Sequence, residues 1–286
     1  MTYPTRAATR GGVGWLLCDM VLNLTALSLV KALGTDMPAA QVVLFRAGFG
    51  LLILLPWILQ DTGQVTRVAR PGLHLLRVGF STIALTAGFF AVARMPFALF
   101  TTLNFLRPLV LMCLAALILR EAIPRARWAA AALGLAGVAV ALAPTGGAEI
   151  AGIGAVLISV LAGSGAVIVT RRLRGASEVQ MMTFYTAGLA LLTLPVAVIQ
   201  WVPVDAGTIL LLAGVGCIAQ LAQLCFIRAH WMAEAGVLAP LGYLSFIASA
   251  AVGFTLFSEP LTLPTLTGAV VIALSSWLVL RSSAGK

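Results

Sequence analysis

Charged side chains are scarce in this sequence. Only 9% of its 286 residues are Asp, Glu, Lys or Arg, whereas about a quarter are charged in soluble globular domains. The hydrophobic fraction is 61% and the mean hydropathy is +1.06. So few charges cannot cover the water-exposed surface of a chain this long. The composition excludes a soluble, disordered or collagen-like protein and indicates an integral membrane protein.

Residue types that carry catalysis or bind metals are also few. The chain has two histidines and four cysteines, and all four cysteines lie within apolar runs without a CxxC spacing. No phosphate-binding GxxxxGK[ST] loop occurs, and neither GxSxG nor HExxH is present. We therefore expect no enzyme activity, no metal site, no cofactor and no use of ATP.

The sequence is instead dominated by long apolar runs. About 20 apolar residues in a helix cross the hydrocarbon layer of a bilayer. Runs bounded by charged or Pro/Gly-rich breaks predict an all-α polytopic protein with ten transmembrane helices, near 12–33, 38–59, 72–93, 97–119, 127–144, 150–171, 178–200, 206–228, 235–257 and 264–281.

The basic residues fall mainly between these runs. If the N-terminus is cytoplasmic, fourteen of the eighteen Lys and Arg residues, Arg77 among them, lie in cytoplasmic segments, and only Lys31 and Arg94 lie in outer ones. The positive-inside rule favours this orientation. An even number of spans then predicts that both termini are cytoplasmic.

The two halves resemble each other when shifted by about 139 residues. The matched residues include Lys31 with Arg171, Phe45-Arg46 with Phe184-Tyr185, and Arg120-Glu121 with Ser258-Glu259. Because each half has five predicted spans, the second half would enter the membrane upside down. The sequence thus predicts two units, residues 1–145 (spans 1–5) and residues 146–286 (spans 6–10), as inverted five-helix repeats around a central cavity.

Two stretches carry a family resemblance, FFAVARMPFALFTTLNFLRPLVLMCLAALILREAIPRARW from Phe89 and FIRAHWMAEAGVLAPLGYLSFIASAAVGFTLFSEPLTLPTL from Phe226. They resemble the paired repeats of the EamA-type drug/metabolite transporter superfamily. The marks are an Ala-rich end of the third span, Pro108 in the fourth, and a Leu-rich end leading to Glu before a turn. The resemblance implies ten helices and solute transport without ATP. The first half is also similar to a subgroup of S-adenosylmethionine and riboflavin uptake proteins.

Charged residues within the spans are candidates for the substrate site, because charge is costly in the hydrocarbon region. Asp19, Asn23 and Trp15 share one face of the first span. Arg46 lies near the middle of the second. The alternative to a substrate site is an Asp19–Arg46 ion pair that fastens the two helices.

Arg107 and Asn104 share a face of the fourth span, next to Pro108. Because proline has no N–H, the carbonyl of Asn104 lacks its helical hydrogen bond. This arrangement favours a clamp for a carboxylate or phosphate. The alternative is that Arg107 pairs with Asp19 or with free carbonyls.

Neutral residues of the second half that could also contact the substrate are Tyr185, Gln220, Gln223, Tyr243 and Ser245. Aromatic residues that could line the site are Trp15, Phe89 and Phe105. Glu121 and Glu259 are expected to complement the N-terminal end of the helix that follows each of them.

These features predict a secondary transporter of the bacterial inner (plasma) membrane that works by alternating access. Amino acids or similar amphipathic metabolites, moved outward, are the first candidate substrates. Uptake of a cofactor or vitamin such as S-adenosylmethionine or riboflavin is the alternative, and a membrane enzyme acting on a lipid-linked substrate is the rival from another class. The expected partners are a small-molecule substrate and the lipid bilayer, without nucleic acid or ATP, and the sequence is compatible with a monomer.

Overall fold

The computed structural model describes residues 6–60, 63, 70–107, 110, 113–114, 117–118, 125–141, 149–173, 177–232 and 244–284. In these ranges every regular element is a helix. The helices are α1 (Arg6–Ala32), α2 (Ala39–Gln60), α3 (Pro71–Ala93), α4 (Phe97–Asn104), α5 (Arg125–Ala141), α6 (Ile150–Arg172), α7 (Glu178–Ile199), α8 (Ala206–Met232), α9 (Leu244–Phe257) and α10 (Leu263–Ala284).

Six of these helices, α1, α2, α3, α6, α7 and α8, are long and apolar enough to cross a membrane. The described apolar stretches of α9 and α10, Ala248–Phe257 and Leu263–Ser275, are shorter. The predicted all-helical, multi-pass membrane protein is confirmed at this level. The count of ten spans and their inverted arrangement stay predictions.

Large apolar side chains lie on the outside of the bundle. The exposed set includes leucines on several of the long helices, for example Leu59, Leu75, Leu191 and Leu210. Polar side chains are found inside, among them Gln41, Thr186, Gln220 and Ser275. This distribution suits a lipid environment, where helix association depends on close packing and interhelical hydrogen bonds rather than on the hydrophobic effect.

The helices of the two halves pack against each other in seven main pairs. These are α1 with α8, α3 with α6, α5 with α10, α2 with α7, α2 with α8, α3 with α7, and α4 with α9. Exchanging the halves turns α1 with α8 into α6 with α3 and α2 with α8 into α7 with α3, and it leaves the other three pairs as they are. A two-fold relation between the predicted repeats would produce this pattern.

Glycines let some of these helices approach closely. A Cβ atom on Gly216 of α8 would lie 2.6 Å from Cβ of Phe49 and 3.0 Å from the carbonyl oxygen of Arg46, both on α2. A Cβ atom on Gly137 of α5 would lie 3.0 Å from the carbonyl oxygen of Gly268 on α10. At both contacts the small residue permits near backbone-to-backbone packing.

Gln41 joins the start of α2 to the segment after α7. Its side-chain Nε2 donates to the carbonyl oxygen of Val202 at 2.8 Å, and its Oε1 accepts from the Val202 N–H at 3.0 Å. The fully buried amide therefore satisfies both backbone groups of Val202, as a neighbouring strand would. This contact ties the predicted first and second halves together at one end of the bundle.

Candidate substrate site

Arg46 lies where α2 of the first half meets α7 of the second. Arg46 is 6% exposed, and its Nη2 lies 3.4 Å from the hydroxyl of Tyr185. The same guanidinium is 5.6 Å from the centre of the Tyr185 ring. The two residues are 139 positions apart, which is the offset between the matched halves. Residues at matched positions of the two predicted repeats therefore contact each other.

Several donors of this cluster have no acceptor among the residues that the structure describes. They are Arg46 Nε, Arg46 Nη1 and Gln220 Nε2, and all three atoms are buried. Gln220 of α8 reaches α2, because a Cβ atom on Gly50 would lie 2.8 Å from Gln220 Oε1. No carboxylate of the described residues forms an ion pair with Arg46. Unpaired buried donors are costly, and this cluster offers three of them.

Arg77 of α3 is a second buried guanidinium beside Tyr185. Its Nε donates to Thr170 Oγ1 at 2.9 Å and its Nη1 donates to the carbonyl oxygen of Met181 at 3.1 Å. It lies 5.4 Å from the centre of the Tyr185 ring. Tyr185 thus contacts two cations, and the local field is positive.

The position of Arg77 differs from the sequence prediction, which assigned it to a cytoplasmic segment. It lies six residues beyond Pro71, about 9 Å into α3 at 1.5 Å per residue. There its polar contacts come from α6 and α7 of the other half. The spacing from Pro71 is the signal that could have identified Arg77 as an interior residue.

Asp19 is buried, but it does not pair with Arg46. Its Oδ1 accepts from Asn23 Nδ2 at 2.6 Å, so the partner comes from the next turn of the same helix. Asp19 lies on α1, which packs against α8. The alternative of an Asp19–Arg46 ion pair is therefore wrong for this structure.

Arg107 lies apart from this cluster. It is exposed, and its Nη2 donates to Asn104 Oδ1 at 3.3 Å. Asn104 Nδ2 donates in turn to the carbonyl oxygen of Phe100 at 2.9 Å. A Cβ atom on Gly163 of α6 would lie 3.4 Å from Arg107 Nη2, so Arg107 faces α6. The ion pair between Arg107 and Asp19 does not form either.

The other predicted site residues occupy varied positions. Phe89 is part of the buried core, and Phe105 packs against it. Gln223 and Ser245 are half-buried on α8 and α9. The Trp15 ring lies 5.1 Å from the guanidinium of Arg228. Tyr243 lies outside the described residues. The binding roles of these residues stay predictions.

A cavity of about 500 Å³ lies between α3, α6 and residues that follow α4. It does not include the Arg46 cluster. Its lining is apolar except for Arg172, and includes Leu76, Phe80, Ile83, Leu114, Ile158 and Leu161. Such a surface suits acyl chains better than a polar solute.

Comparisons with known proteins show what the chain resembles. Residues 10–143 match the EamA-like transporter family. This segment is an EamA-like transporter domain. The resemblance to the drug/metabolite transporter superfamily predicted from the sequence is therefore confirmed.

Curated relatives of the EamA-like chain are transporters. The S-adenosylmethionine uptake transporter of Rickettsia felis is 27% identical over 95% of this chain and 92% of the relative. The pseudopaline exporter of Pseudomonas aeruginosa is 27% identical over 90% and 92%. The riboflavin transporter of Rhizobium johnstonii is 27% identical over 98% and 93%. The names of these relatives support a transporter rather than an enzyme.

A solved crystal structure shares the fold of the EamA-like chain. It superposes with a TM-score of 0.64 at 18% sequence identity and covers 98% of both chains. At this identity the match concerns the fold alone.

Proposed function

We propose that this protein is a secondary transporter that moves a small, carboxylate-bearing metabolite across the bacterial inner membrane by alternating access. The observation that carries the proposal is the Arg46 cluster. A buried guanidinium whose Nε and Nη1 have no partner among the described residues lies beside the equally unpartnered Nε2 of Gln220, where helices of both halves meet. Midplane sites at repeat interfaces are typical of secondary transporters.

A carboxylate fits this cluster by charge and by shape. The guanidinium fork can donate two parallel hydrogen bonds to one carboxylate. Each edge of the Arg46 fork combines Nη2 with Nε or with Nη1, both unpartnered among the described residues, and Gln220 Nε2 supplies a further donor. The ligand would neutralise a charge that the described residues leave uncompensated. Binding would therefore recover part of the cost of burying Arg46.

Asp19 adds an acidic group on α1, which packs along α8. An acidic and a basic group inside one bundle suit a zwitterion, the charge pattern of an α-amino acid and its derivatives. S-adenosylmethionine has this pattern, together with a sulfonium and an adenine base, whereas riboflavin has no carboxylate.

Two candidates follow from this charge pattern. Uptake of S-adenosylmethionine is the first, because relatives with that name match 95% of the chain. Export of amino acids is the second, since free amino acids carry the same two charges. Both termini are proposed to be cytoplasmic on the basis of the loop charges, and a monomer is proposed as the working unit.

Counterflow in proteoliposomes tests this proposal. Purified protein is reconstituted with an unlabelled solute inside, and uptake of the labelled solute is followed at equal pH on both sides. We expect exchange of S-adenosylmethionine or of amino acids, and no exchange of riboflavin. Protein-free liposomes are the control. Exchange of riboflavin alone would contradict the carboxylate proposal, and exchange of none of these solutes would contradict the proposed substrate class.

A further inference from the structure

Lys31 and Glu259 form an ion pair between the two halves. Lys31 Nζ lies 2.7 Å from Glu259 Oε1, and the two side chains are 11% and 13% exposed. Lys31 is in the last turn of α1, and Glu259 follows α9. The pair lies at the end of the bundle where α1 and α3 end and α4 begins, here called the outer end, which the loop charges predict to be extracellular.

Two further contacts connect this pair to the start of α4, and a ring contact lies beside them. Lys31 Nζ also donates to the carbonyl oxygen of Met95 at 2.7 Å. Glu259 Oε2 accepts from the N–H of Phe97, the first residue of α4, at 2.7 Å. The Phe97 ring stacks on Phe257 with centroids 6.2 Å apart. One ion pair therefore holds α1, the α3–α4 corner, α4 and the end of α9 together.

The role of Glu259 differs from the sequence prediction. It was expected to complement α10, the helix that follows it. Its carboxylate instead complements the N-terminal end of α4 in the other half. The left-handed backbone of Ser258, with φ of 52°, turns the chain after α9, and the Glu259 N–H bonds back to the carbonyl oxygen of Gly253 at 3.0 Å.

Gly253 leaves the space that this carboxylate occupies. A Cβ atom on Gly253 would lie 2.6 Å from Glu259 Oε2. The turn and the glycine together direct Glu259 across the boundary between the halves.

We infer that Lys31 and Glu259 are the outer gate of the transporter, formed when the outer end is closed and broken when it opens. The inference rests on the proposed transport function. Alternating access requires helices of the two halves to separate at one end and then at the other. This ion pair links those halves at one end. In the match between the two halves, Arg171 aligns with Lys31 and Glu121 aligns with Glu259. Each half therefore has one basic and one acidic residue at these two positions.

The pair suits a gate energetically. An ion pair that is partly exposed exchanges protein contacts for water when it breaks, so neither charge is left buried. The two states can then lie close in free energy, as a transport cycle requires. A fully buried pair would resist opening far more strongly.

Distance measurements between spin labels test the gate without any solute, so failure of the gate can be told from failure of the proposed function. Thr35 and Leu261, both exposed near the pair, are changed to cysteine and labelled. The background protein has Cys18, Cys113, Cys217 and Cys225 replaced by alanine. Pulsed electron paramagnetic resonance in liposomes then gives the distribution of distances across the outer end.

We expect a dominant short distance in the labelled parent protein. Lys31→Met and Glu259→Gln should each increase the fraction of a longer distance by about tenfold, because the closed state loses its ion pair while the open state is unchanged. Lys31→Arg keeps the charge and should keep the short distance. The double variant Lys31→Glu with Glu259→Lys is not an informative test, because the carboxylate at position 31 would face the carbonyl oxygen of Met95.

Arg94→Met is the matched control. Arg94 forms the other described ion pair, 3.5 Å from Glu149, which is 61% exposed, and its loss should leave the distances unchanged. An unchanged distribution in both Lys31→Met and Glu259→Gln would overturn the gate. An equal shift in Lys31→Arg and Lys31→Met would also overturn it, since the effect would then not depend on charge.

Discussion

Changing Arg46 to methionine is expected to abolish exchange of carboxylate-bearing solutes while leaving the protein at least as stable as wild type. Removing one side of a buried, hydrogen-bonded charge pair costs about 3 kcal/mol in binding, roughly a 100-fold loss of affinity. Stability should not fall, because the variant removes a buried guanidinium that has two unpartnered donors. Methionine also fills most of the volume. Counterflow and the melting temperature in detergent measure the two effects.

Two further variants sharpen this test. Arg46→Lys keeps the charge but loses the fork, so we expect an intermediate loss of about tenfold. Arg70→Met is the control, because Arg70 is exposed and makes only a 3.3 Å bond to the carbonyl oxygen of Arg172. If Arg46→Met exchanged the same solutes at the wild-type rate, Arg46 would not be part of the substrate site.

The second large effect is expected from Gly216→Ala. Its new methyl group would lie 2.6 Å from Phe49 Cβ and 3.0 Å from the Arg46 carbonyl oxygen. Because one of these atoms belongs to the backbone, α2 and α8 must move apart. Overpacking of this kind costs about 1–3 kcal/mol. We expect a lower melting temperature and loss of exchange, because Arg46 and Gln220 would be displaced relative to each other.

Gly48→Ala on α2 is the matched control for this prediction. A Cβ atom on Gly48 meets no other atom within 4 Å. Alanine is favoured over glycine in a helix by about 0.5–1 kcal/mol, so stability should be unchanged or slightly higher. A Gly216→Ala variant as stable as Gly48→Ala would show that α2 and α8 do not pack as described.

Much of the helical framework could be predicted from the sequence. The apolar run predicted at 72–93 is α3 at Pro71–Ala93, and the run at 150–171 is α6 at Ile150–Arg172. The ends of these helices can be predicted because charged, proline and glycine residues interrupt the apolar runs at the membrane–water interfaces. The span predicted at 235–257 is described only from Leu244, as α9.

The contacts between helices were harder to predict. One alternative paired Asp19 with Arg46 on another helix, whereas its carboxylate bonds to Asn23, four residues away on the same face. Glu259 contacts Lys31 and Phe97, which are far from it in sequence. Periodicity gives the face of a helix but not the helix that covers it. The repeat match aligned Arg46 with Tyr185, but it carried no information that the two residues touch.

The central claim is that Arg46 binds the carboxylate of the solute. The most direct measurement compares S-adenosylmethionine with its decarboxylated form as competitors of labelled S-adenosylmethionine in counterflow, in wild type and in Arg46→Met. The account predicts that wild type prefers the intact molecule by about 100-fold and that Arg46→Met loses this preference along with most of its exchange. Equal competition by the two compounds in wild type, or a preference that survives in Arg46→Met, would contradict it.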